Sequence, residues 1–273
     1  MKLNLVEFKK ANNIKNEILN QTPISILENE MGVFISGSQF QIIFGSAKLT
    51  RDNIQNIAPI KIDLFAVKQA HGDNLVATLD IKKQLNLIEA DALYSQFKNE
   101  MLLIKTADCN PIMVVDKEGR FALAIHAGWR GFVNLIVIKS ISRLLTQLSL
   151  NSESLLVFVG PRILQESFEI DLDVKNLLEK SIFPNFEIEK IGAKINSKIK
   201  YDKNKLSYSK LVNNIEKYYF NLDYLLELQL ATIGVTKEQI KFIEIDTVKN
   251  NKWNSYRRDK SNSGRNLSAI VLT

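Results

Sequence analysis

The chain carries few side chains that bind soft metals, and each lies in a short segment marked by Gly, Pro or Asp. There is one cysteine, Cys109, and there are two histidines, His71 and His126. None of the three lies in the middle of an apolar run, where a core residue is expected. One cysteine and two histidines are the protein ligands of an open zinc site, whose fourth position is left for water or substrate. The same residues also fit a Cys/His nucleophile pair with an additional histidine.

A predicted β-hairpin brings two of these residues together. Apolar runs at 112–116 and 121–125 flank the polar, Gly-containing segment 117–120, which is typical of a hairpin. With the turn centred on that segment, His126 lies opposite residue 111, two positions from Cys109. We therefore expect Cys109 and His126 at the same end of the hairpin. His71 follows another predicted strand, at 64–69, and the hairpin does not place it.

The segment after His126 has the features of an anion site. A predicted strand at 121–126 leads into the Gly-flanked turn 127–131, and a helix is predicted over 132–148. A helix that starts directly after such a turn presents free backbone N–H groups to an anion. Arg130 adds a forked cation beside the predicted helix start at Gly131. This pattern predicts that Arg130 and Gly131 bind an anion.

The composition indicates a globular protein with one large domain or two small ones, since 45% of its 273 residues are hydrophobic. A single cysteine excludes a disulfide framework and favours a reducing compartment. The first ten residues lack an apolar stretch of signal-peptide length, and no run approaches the roughly 20 apolar residues of a membrane span. These features predict a cytoplasmic protein with no membrane partner.

The charge pattern argues against nucleic acid. The net charge is +6, but 30 acidic residues are interspersed among the basic ones and there is no basic stripe. A modest positive field still favours anionic substrates such as phosphate.

Strands and helices alternate irregularly, so the predicted class is α+β rather than doubly wound. Residues 1–30 are predicted to be a lead-in packed on the core, and 31–273 a single domain. The predicted strands are a pair within 32–44, then 64–69, 101–105, 112–116, 121–126, 155–159, 240–245 and 268–272. The predicted helices are 12–20, 92–98, 132–148, 174–180 and 211–233, the last ending at Gly234, and 184–205 is predicted to be a loop.

Five motifs occur in order from about residue 64 to the C-terminus. They are Gln69-x-His71-Gly72, Ala107-Asp108-Cys109-x-Pro111, His126-Ala127-Gly128-Trp129-Arg130-Gly131, Gly160-Pro161, and Ser255-x-Arg257-Arg258-Asp259 with Gly264-Arg265. This series resembles that of the multicopper polyphenol oxidase or laccase-domain family. Members of that family are understood as zinc-dependent purine nucleoside phosphorylases with adenosine deaminase activity.

The resemblance implies a fold, a cofactor and substrates. The implied fold is a mixed α/β sandwich with stacked central mixed β-sheets flanked by helices, in a monomer or homodimer. One zinc per chain is implied at the catalytic residues His71, Cys109 and His126. The implied substrates are purine nucleosides (adenosine, inosine, guanosine and methylthioadenosine) with phosphate as co-substrate. The residues implied to contact them are Gln69, Arg130, Gly131 and Arg258.

The chain departs from the family pattern in three places. The segment before residue 60 lacks a Gly-Gly-rich stretch and an Asn-Arg pair, and Lys48 stands where an arginine is usual. Asp246-Thr247 replaces a Cys-Thr pair, and the cysteine after Gly160-Pro161 is absent. The predicted zinc ligands are unaffected, whereas the N-terminal part of the substrate pocket differs. Two histidines are too few for a four-copper cluster, whose main ligand is imidazole.

Two other functions are compatible with the same residues. In a metal-free hydrolase of the amidase type, Cys109 is the nucleophile and His126 the base, and His71 has no role. In a non-catalytic zinc module the metal is structural, although such sites usually close with four protein ligands. Asp108 is expected either to orient a ligand or to cap its own loop. Arg258 is expected either to bind phosphate or to pair with Asp259.

Overall fold

Two β-sheets stacked face to face form the centre of the molecule. The computed structural model describes residues 14–54, 62–84, 86–182 and 200–273. Within these ranges the strands are β1 Lys15–Leu19, β2 Thr22–Asn29, β3 Gly32–Ser36, β4 Phe40–Gly45, β5 Asp63–Ala66, β6 Leu75–Ala77, β7 Ala92–Ser95, β8 Glu100–Thr106, β9 Asn110–Asp116, β10 Ala122–Ala127, β11 Leu155–Val159, β12 Glu169–Ile170, β13 Ser207–Val212, β14 Ile215–Phe220, β15 Ile240–Phe242 and β16 Asn266–Leu272.

The two large sheets are both mixed. The first has the order β1-β2-β3-β4-β16-β8-β5, and β5 and β8 are its parallel pair. The second has the order β15-β11-β9-β10-β7-β6, with a parallel pair at each edge. A small antiparallel sheet has the order β12-β14-β13. Most strand pairs in both large sheets are antiparallel, which confirms the predicted α+β class.

Apolar side chains fill the space between the two large sheets. Phe40 on β4 contacts Phe158 on β11, with ring centroids 5.4 Å apart. Met113 of β9 faces the same interface, whereas Ile112 and Val114 face the opposite side of their sheet. Because successive strand residues point to opposite faces, a strand covered on both sides requires an uninterrupted apolar run. That requirement explains the apolar sequence of 112–115.

Helices cover the outer face of the six-stranded sheet. Leu144 and Leu225, from two different helices, share a buried cluster with Ile112 and Val114. This layer confirms the expected sandwich flanked by helices. The helices in the described ranges are α1 Arg51–Ile54, α2 Thr78–Lys82, α3 Trp129–Val133, α4 Ile136–Gln147, α5 Leu172–Lys180, α6 Lys203–Leu206, α7 Leu222–Thr232 and α8 Tyr256–Asp259.

The predicted hairpin is confirmed. β9 and β10 pair around the turn, and His126 lies opposite Pro111. The predicted pair within 32–44 is β3 and β4, and the helix predicted over 174–180 lies within α5. The strands predicted at 64–69, 101–105, 155–159, 240–245 and 268–272 are β5, β8, β11, β15 and β16, of which β5 and β15 end earlier than predicted.

The helix predicted over 12–20 is wrong in the part that the structure describes. β1 pairs with β2 across Asn20 and Gln21, whose φ angles are 44° and 65°. Two successive left-handed residues are characteristic of a two-residue hairpin turn. Strand pairing therefore overrides the local helical pattern, and β1 and β2 extend the seven-stranded sheet. Residues 12 and 13 lie outside the described ranges, and the domain division at residue 30 remains a prediction.

Two other predicted helices are wholly or partly wrong. Ala92–Ser95 is strand β7, paired with β10, because a short apolar run fits a buried strand as well as a helix. Within 211–233, β13 and β14 form a hairpin around Asn213 and Asn214, with φ angles of 51° and 62°. Helix α7 begins only after that hairpin, and it ends before Gly234 as predicted.

The helix predicted over 132–148 is divided. α3 begins three residues earlier than predicted, at Trp129, and the chain breaks at Leu135, whose φ angle is 62°. α4 then runs from Ile136. The predicted loop at 184–205 lies mostly outside the described residues, and α6 occupies its end. Within the described part of the chain, no helix has the length and apolar character needed to cross a membrane.

Candidate metal centre

Three side chains converge at one end of the sheet interface. The ligand atoms of His71, Cys109 and His126 all lie within 4.8 Å of one another. The two imidazole centroids are 4.7 Å apart, and the ring planes meet at 81°. Donor atoms around a tetrahedral zinc are about 3.5 Å apart, so small side-chain rotations suffice to close this set around one ion. Two imidazoles and a thiolate are a donor set that suits zinc.

Each of these side chains lies next to the end of a strand. Cys109 directly precedes β9 and His126 lies near the end of β10, so the hairpin sets their separation. His71 follows β5, which belongs to the other large sheet. β8 connects the two halves, since it pairs with β5 and continues through Asp108 towards Cys109. The site therefore lies where the two stacked sheets meet.

The three side chains range from the interior to the surface. His126 is buried, Cys109 is half-buried and His71 is exposed. The site consequently has an open side on which a substrate can approach. An open side of this kind is a feature of catalytic rather than structural zinc sites.

The electrostatics favour a thiolate. Burial raises the pKa of the Cys109 thiol, but hydrogen bonds and charge from His126 and His71 outweigh burial and lower this pKa to about 7. Burial lowers the pKa of His126, but Asp91 and Cys109 outweigh it and raise this pKa to about 9. In the metal-free protein the pair is therefore poised as thiolate and imidazolium. The thiolate is the form that binds metals and attacks electrophiles.

Asp91 is a further residue of the site. Its Oδ1 lies 2.8 Å from Nδ1 of His126 and accepts the backbone N–H of His71 at 3.0 Å. Its Oδ2 accepts the N–H of Gly72 at 2.7 Å and that of Ala70 at 3.1 Å. Burial raises the pKa of this carboxyl, but these hydrogen bonds outweigh it and the pKa lies below its usual range. Asp91 is therefore ionised beside the histidine ring.

Asp91 escapes prediction because 92–98 is predicted to be a helix, which places Asp91 at a helix start. With Ala92–Ser95 as a strand, the register pairs Ile125 with Ala92 and brings His126 opposite Asp91. The available signal was a carboxylate between two alanines beside an apolar run. It becomes informative only when the strand pairing is known.

Gly128 allows helix α3 to approach the ligands. A Cβ atom at this position lies 3.1 Å from Sγ of Cys109 and 3.2 Å from Cδ2 of His71, which is tighter than ordinary contact. Gly128 is also the residue that precedes α3. The first turn of this helix therefore lies directly against two of the three side chains.

Gln69 and Asp108 hold the backbone around the site. The Gln69 amide donates to the carbonyl of Lys105 and accepts its N–H, both at 2.8 Å, which continues the pairing of β5 with β8. Asp108 accepts the hydroxyl of Thr247 at 2.7 Å and the N–H of Arg257 at 2.6 Å. In the part of the chain that the structure describes, the Asp108 carboxylate therefore fastens the C-terminal motif beside Cys109. The substrate role of Gln69 remains a prediction.

Comparison with known proteins identifies a family to which this chain belongs. A family model described as multi-copper polyphenol oxidoreductase laccase matches residues 47–273. The chain belongs to this family. The match includes all three converging side chains and the C-terminal motif.

Curated relatives in this laccase-like family have names that refer to purine chemistry. A purine nucleoside phosphorylase from Bacteroides thetaiotaomicron is 29% identical over 204 residues, covering 74% of this chain and 67% of the relative. One from Clostridium acetobutylicum is 30% identical over 226 residues, covering 81% and 82%. An adenosine deaminase from an unknown prokaryotic organism is 30% identical over 128 residues, covering 44% and 48%.

Solved structures share the fold. The hypothetical protein YfiH from Bacillus licheniformis has a TM-score of 0.70 at 18% identity, covering 86% of this chain and 93% of that one. Protein NMB0706 from Neisseria meningitidis has a TM-score of 0.67 at 18% identity, covering 96% and 99%. These likenesses confirm the mixed α/β architecture.

The first turn of α3 carries the predicted anion-binding residues of the family motif. The N–H groups of Trp129, Arg130 and Gly131 have no partner within the helix, because Phe132 is the first residue to bond back to Gly128. The Arg130 guanidinium is exposed and stacks on the Trp129 ring, 4.3 Å from its centroid. Phosphate binding by Arg130 and Gly131 remains a prediction.

The guanidinium of Arg258 is fully engaged. Nη1 donates to the carbonyls of Thr247 at 2.8 Å and Val248 at 3.2 Å. Nη2 donates to the carbonyl of Trp253 at 2.8 Å, and Nη2 and Nε donate to the Asp259 carboxylate at 2.8 and 2.9 Å. All five N–H groups of the side chain thus have partners in this segment. Phosphate binding by Arg258, which remains a prediction, requires at least one of these bonds to be exchanged.

Proposed function

We propose that the protein is a zinc-dependent purine nucleoside phosphorylase that also deaminates adenosine. It converts adenosine, inosine or guanosine and phosphate into the free base and ribose-1-phosphate, with methylthioadenosine as a further candidate substrate. The convergence of His71, Cys109 and His126 within 4.8 Å carries the proposal. The phosphorylase and deaminase names of its relatives support it.

One zinc per chain fits the proposed site. His71, Cys109 and His126 would bind it, and the ion would supply Lewis acidity and lower the pKa of a bound water towards neutrality. The fit rests on the donor set, on the lowered pKa of Cys109 and on the carboxylate beside His126. A thiol that must remain reduced for this role also favours the cytoplasm.

This chain's own residues are proposed to bind and orient the substrates. Arg130 and the N–H of Gly131 would hold phosphate beside the site, since a guanidinium matches phosphate oxygens in pairs. Gln69 would contact the nucleoside from the loop that carries His71. Arg258 would contribute to phosphate binding if its bonds to the C-terminal segment are exchanged. The net charge of +6 favours the approach of an anion.

A metal-free thiol hydrolase is the second candidate function, and one observation favours it. Asp91, His126 and Cys109 form a chain in which a carboxylate orients an imidazole that contacts a thiol of lowered pKa. That is the arrangement of an activated cysteine nucleophile. In this alternative His71 has no catalytic role, which separates the two functions.

The test of the proposed reaction is product analysis with and without phosphate. Purified protein is incubated with inosine or adenosine, and base, ribose-1-phosphate, ribose and ammonia are quantified. We expect ribose-1-phosphate in equal amount to the base released, and ammonia from adenosine. Base release that continues unchanged without phosphate, with free ribose as product, would show hydrolysis and refute the phosphorylase.

His71→Ala and chelation decide between the zinc enzyme and the thiol hydrolase. We expect the zinc enzyme to lose activity with a strong chelator, to recover it with added zinc and to be inactive as His71→Ala. A thiol hydrolase is insensitive to chelation. A folded, zinc-free His71→Ala protein that retains more than about a tenth of the activity, a barrier change under about 1.4 kcal/mol, excludes the zinc mechanism.

The proposed partners are small molecules, in a monomer or homodimer. Light scattering coupled to size exclusion measures the oligomeric state. The non-catalytic zinc module predicts metal binding with no turnover of any nucleoside, which the same product analysis would reveal.

A further inference from the structure

Asp91 connects the two histidines that come from different sheets. His71 follows β5 of the seven-stranded sheet, and His126 lies on β10 of the six-stranded sheet. Asp91 directly precedes β7, and its backbone carbonyl accepts the N–H of His126 at 2.8 Å. Its side chain then reaches both the His126 ring and the His71 backbone. One buried residue, 1% exposed, therefore contacts both ligand-bearing segments.

The Asp91 carboxylate accepts hydrogen bonds from four donors. These are Nδ1 of His126 and three successive backbone N–H groups, of Ala70, His71 and Gly72. Each oxygen accepts two of the four. An ionised carboxylate is an acceptor only, with about four lone-pair positions, so its capacity is filled.

The loop that Asp91 holds has an uncommon backbone. His71 has a φ angle of 61°, in the left-handed region that residues other than Gly adopt infrequently. The three N–H groups around this residue all point at one carboxylate. The hydrogen bonds to the Asp91 carboxylate thus offset the free-energy cost of the left-handed backbone conformation that directs His71 towards Cys109.

We infer that Asp91 is the positioning residue that assembles the metal centre. It holds the proton of His126 on Nδ1, which leaves Nε2 for the metal, and it fixes the backbone of His71. A hydrogen bond to the second ring nitrogen is how proteins set which nitrogen of a histidine binds metal. The inference rests on the proposed zinc site, and it names a residue that acts through the two histidines without touching the ion.

Asn is an informative substitution because its amide has nearly the shape of the carboxylate. If its NH2 group takes the position of Oδ1, the amide donates to Nδ1 of His126, so the ring proton must move to Nε2. The same NH2 group then faces the N–H of His71, and two donors cannot bond to each other. With its NH2 in place of Oδ2, it opposes the N–H groups of Ala70 and Gly72. Neither orientation preserves all four hydrogen bonds, so Asp91→Asn must disturb one histidine or the other.

The first measurement is zinc affinity, by competition with a chelating dye, for wild type and Asp91→Asn. We expect Asp91→Asn to bind zinc roughly 10–100-fold more weakly. Glu100→Gln is the matched control, because Glu100 is also buried but accepts hydrogen bonds from Thr78 and Lys82 instead of from the site. The control should bind zinc like wild type. Affinity of Asp91→Asn within about threefold of wild type would overturn the inference.

The second measurement does not depend on metal or on a folded variant. The chain has two histidines, so an ¹⁵N-histidine NMR spectrum contains only two ring systems. We expect Nδ1 of His126 in wild type to carry a slowly exchanging proton both with and without zinc. An unprotonated Nδ1 in wild type would overturn the inference. A wild-type protein that binds no zinc but retains this proton would refute the proposed function and leave the role of Asp91 intact.

Discussion

At the residue scale, the absence of a side chain at position 128 determines how closely α3 approaches the ligands. We predict that Gly128→Ala folds but binds zinc at least about 10-fold more weakly, because Sγ of Cys109 and the His71 ring must both move away from the new methyl group. Competition with a chelating dye measures the affinity. Circular dichroism verifies that the variant is folded.

Gly72→Ala is the matched control for Gly128→Ala. A Cβ at Gly72 meets only Oδ2 of Asp91, at 3.7 Å, which is ordinary contact, and alanine retains the N–H that Asp91 accepts. We expect nearly wild-type zinc affinity for this variant. Equal affinities for Gly128→Ala and wild type would contradict the steric argument.

Arg258 provides a second test at the residue scale. Because its guanidinium holds carbonyls of Thr247, Val248 and Trp253, we predict that Arg258→Ala lowers the free energy of unfolding by about 1–3 kcal/mol. Urea denaturation measures this change. A raised KM for phosphate with unchanged stability would instead support the substrate role, and exposed Arg265→Ala, nearby in the chain, serves as the control.

Single residues also mark the limit of inference from sequence. Cys109 and His126 were placed together by the hairpin register, which needs only local pattern and turn chemistry. Asp91 was not identified, because the segment that it introduces, 92–98, is predicted as a helix and forms strand β7 instead. The position of an aspartate in the sequence does not indicate which side chains its carboxylate will contact.

At the element scale, Asp116 stabilises the hairpin that carries two ligands. Its buried carboxylate accepts Nε and Nη2 of Arg120 at 2.7 and 2.6 Å, and the N–H of Glu118 at 3.0 Å. Burial raises the pKa of Asp116, but hydrogen bonds from Arg120 and Ser154 and the charge of Arg120 outweigh burial, and the pKa lies below its usual range. The ionised form is therefore favoured in the folded state.

The stability of the hairpin should consequently depend on pH. A lowered carboxyl pKa contributes stability that is full above the unfolded value, about 3.9, and is lost as pH falls through the folded value. We predict that Asp116→Asn is less stable than wild type by about 1–3 kcal/mol at pH 7 and that the difference shrinks below about pH 4. Urea denaturation across this range measures it. A difference independent of pH would refute the role of the charge, and exposed Asp63→Asn should show little effect.

Elements differ in how far their own sequence determines them. β9 and β10 were predictable because apolar runs flank a Gly-containing turn. β1, β7, β13 and β14 were not, because their segments fit a helix locally and become strands through partners elsewhere in the sheet. The break at Leu135 likewise has no signal in the sequence, since leucine does not favour a φ angle of 62°.

At the scale of the whole molecule, zinc should link the two sheets. Its proposed ligands come from both, and a ligand that binds only the folded state stabilises it by about 2.7 kcal/mol at 100 times its Kd. We predict that saturating zinc raises the Tm by roughly 5–10 °C. Differential scanning calorimetry of metal-free and zinc-loaded protein measures the shift. His71→Ala should show only a small increase in Tm with zinc. Magnesium, which prefers oxygen ligands, should not change the Tm of the wild-type protein. An equal increase in Tm for His71→Ala and wild type would show that His71 is not a zinc ligand.

By itself, the sequence determined the α+β class, the β9–β10 hairpin, the pairing of Cys109 with His126 and the motif series of the family. These depend on local periodicity, turn residues and the identity of a few side chains. Only the tertiary structure decided that His71 joins them, that Asp91 holds both histidines, and that Gly128 lets α3 close over the site. These contacts depend on how two sheets stack, and the free energy of stacking is distributed over many apolar side chains that no short motif reports.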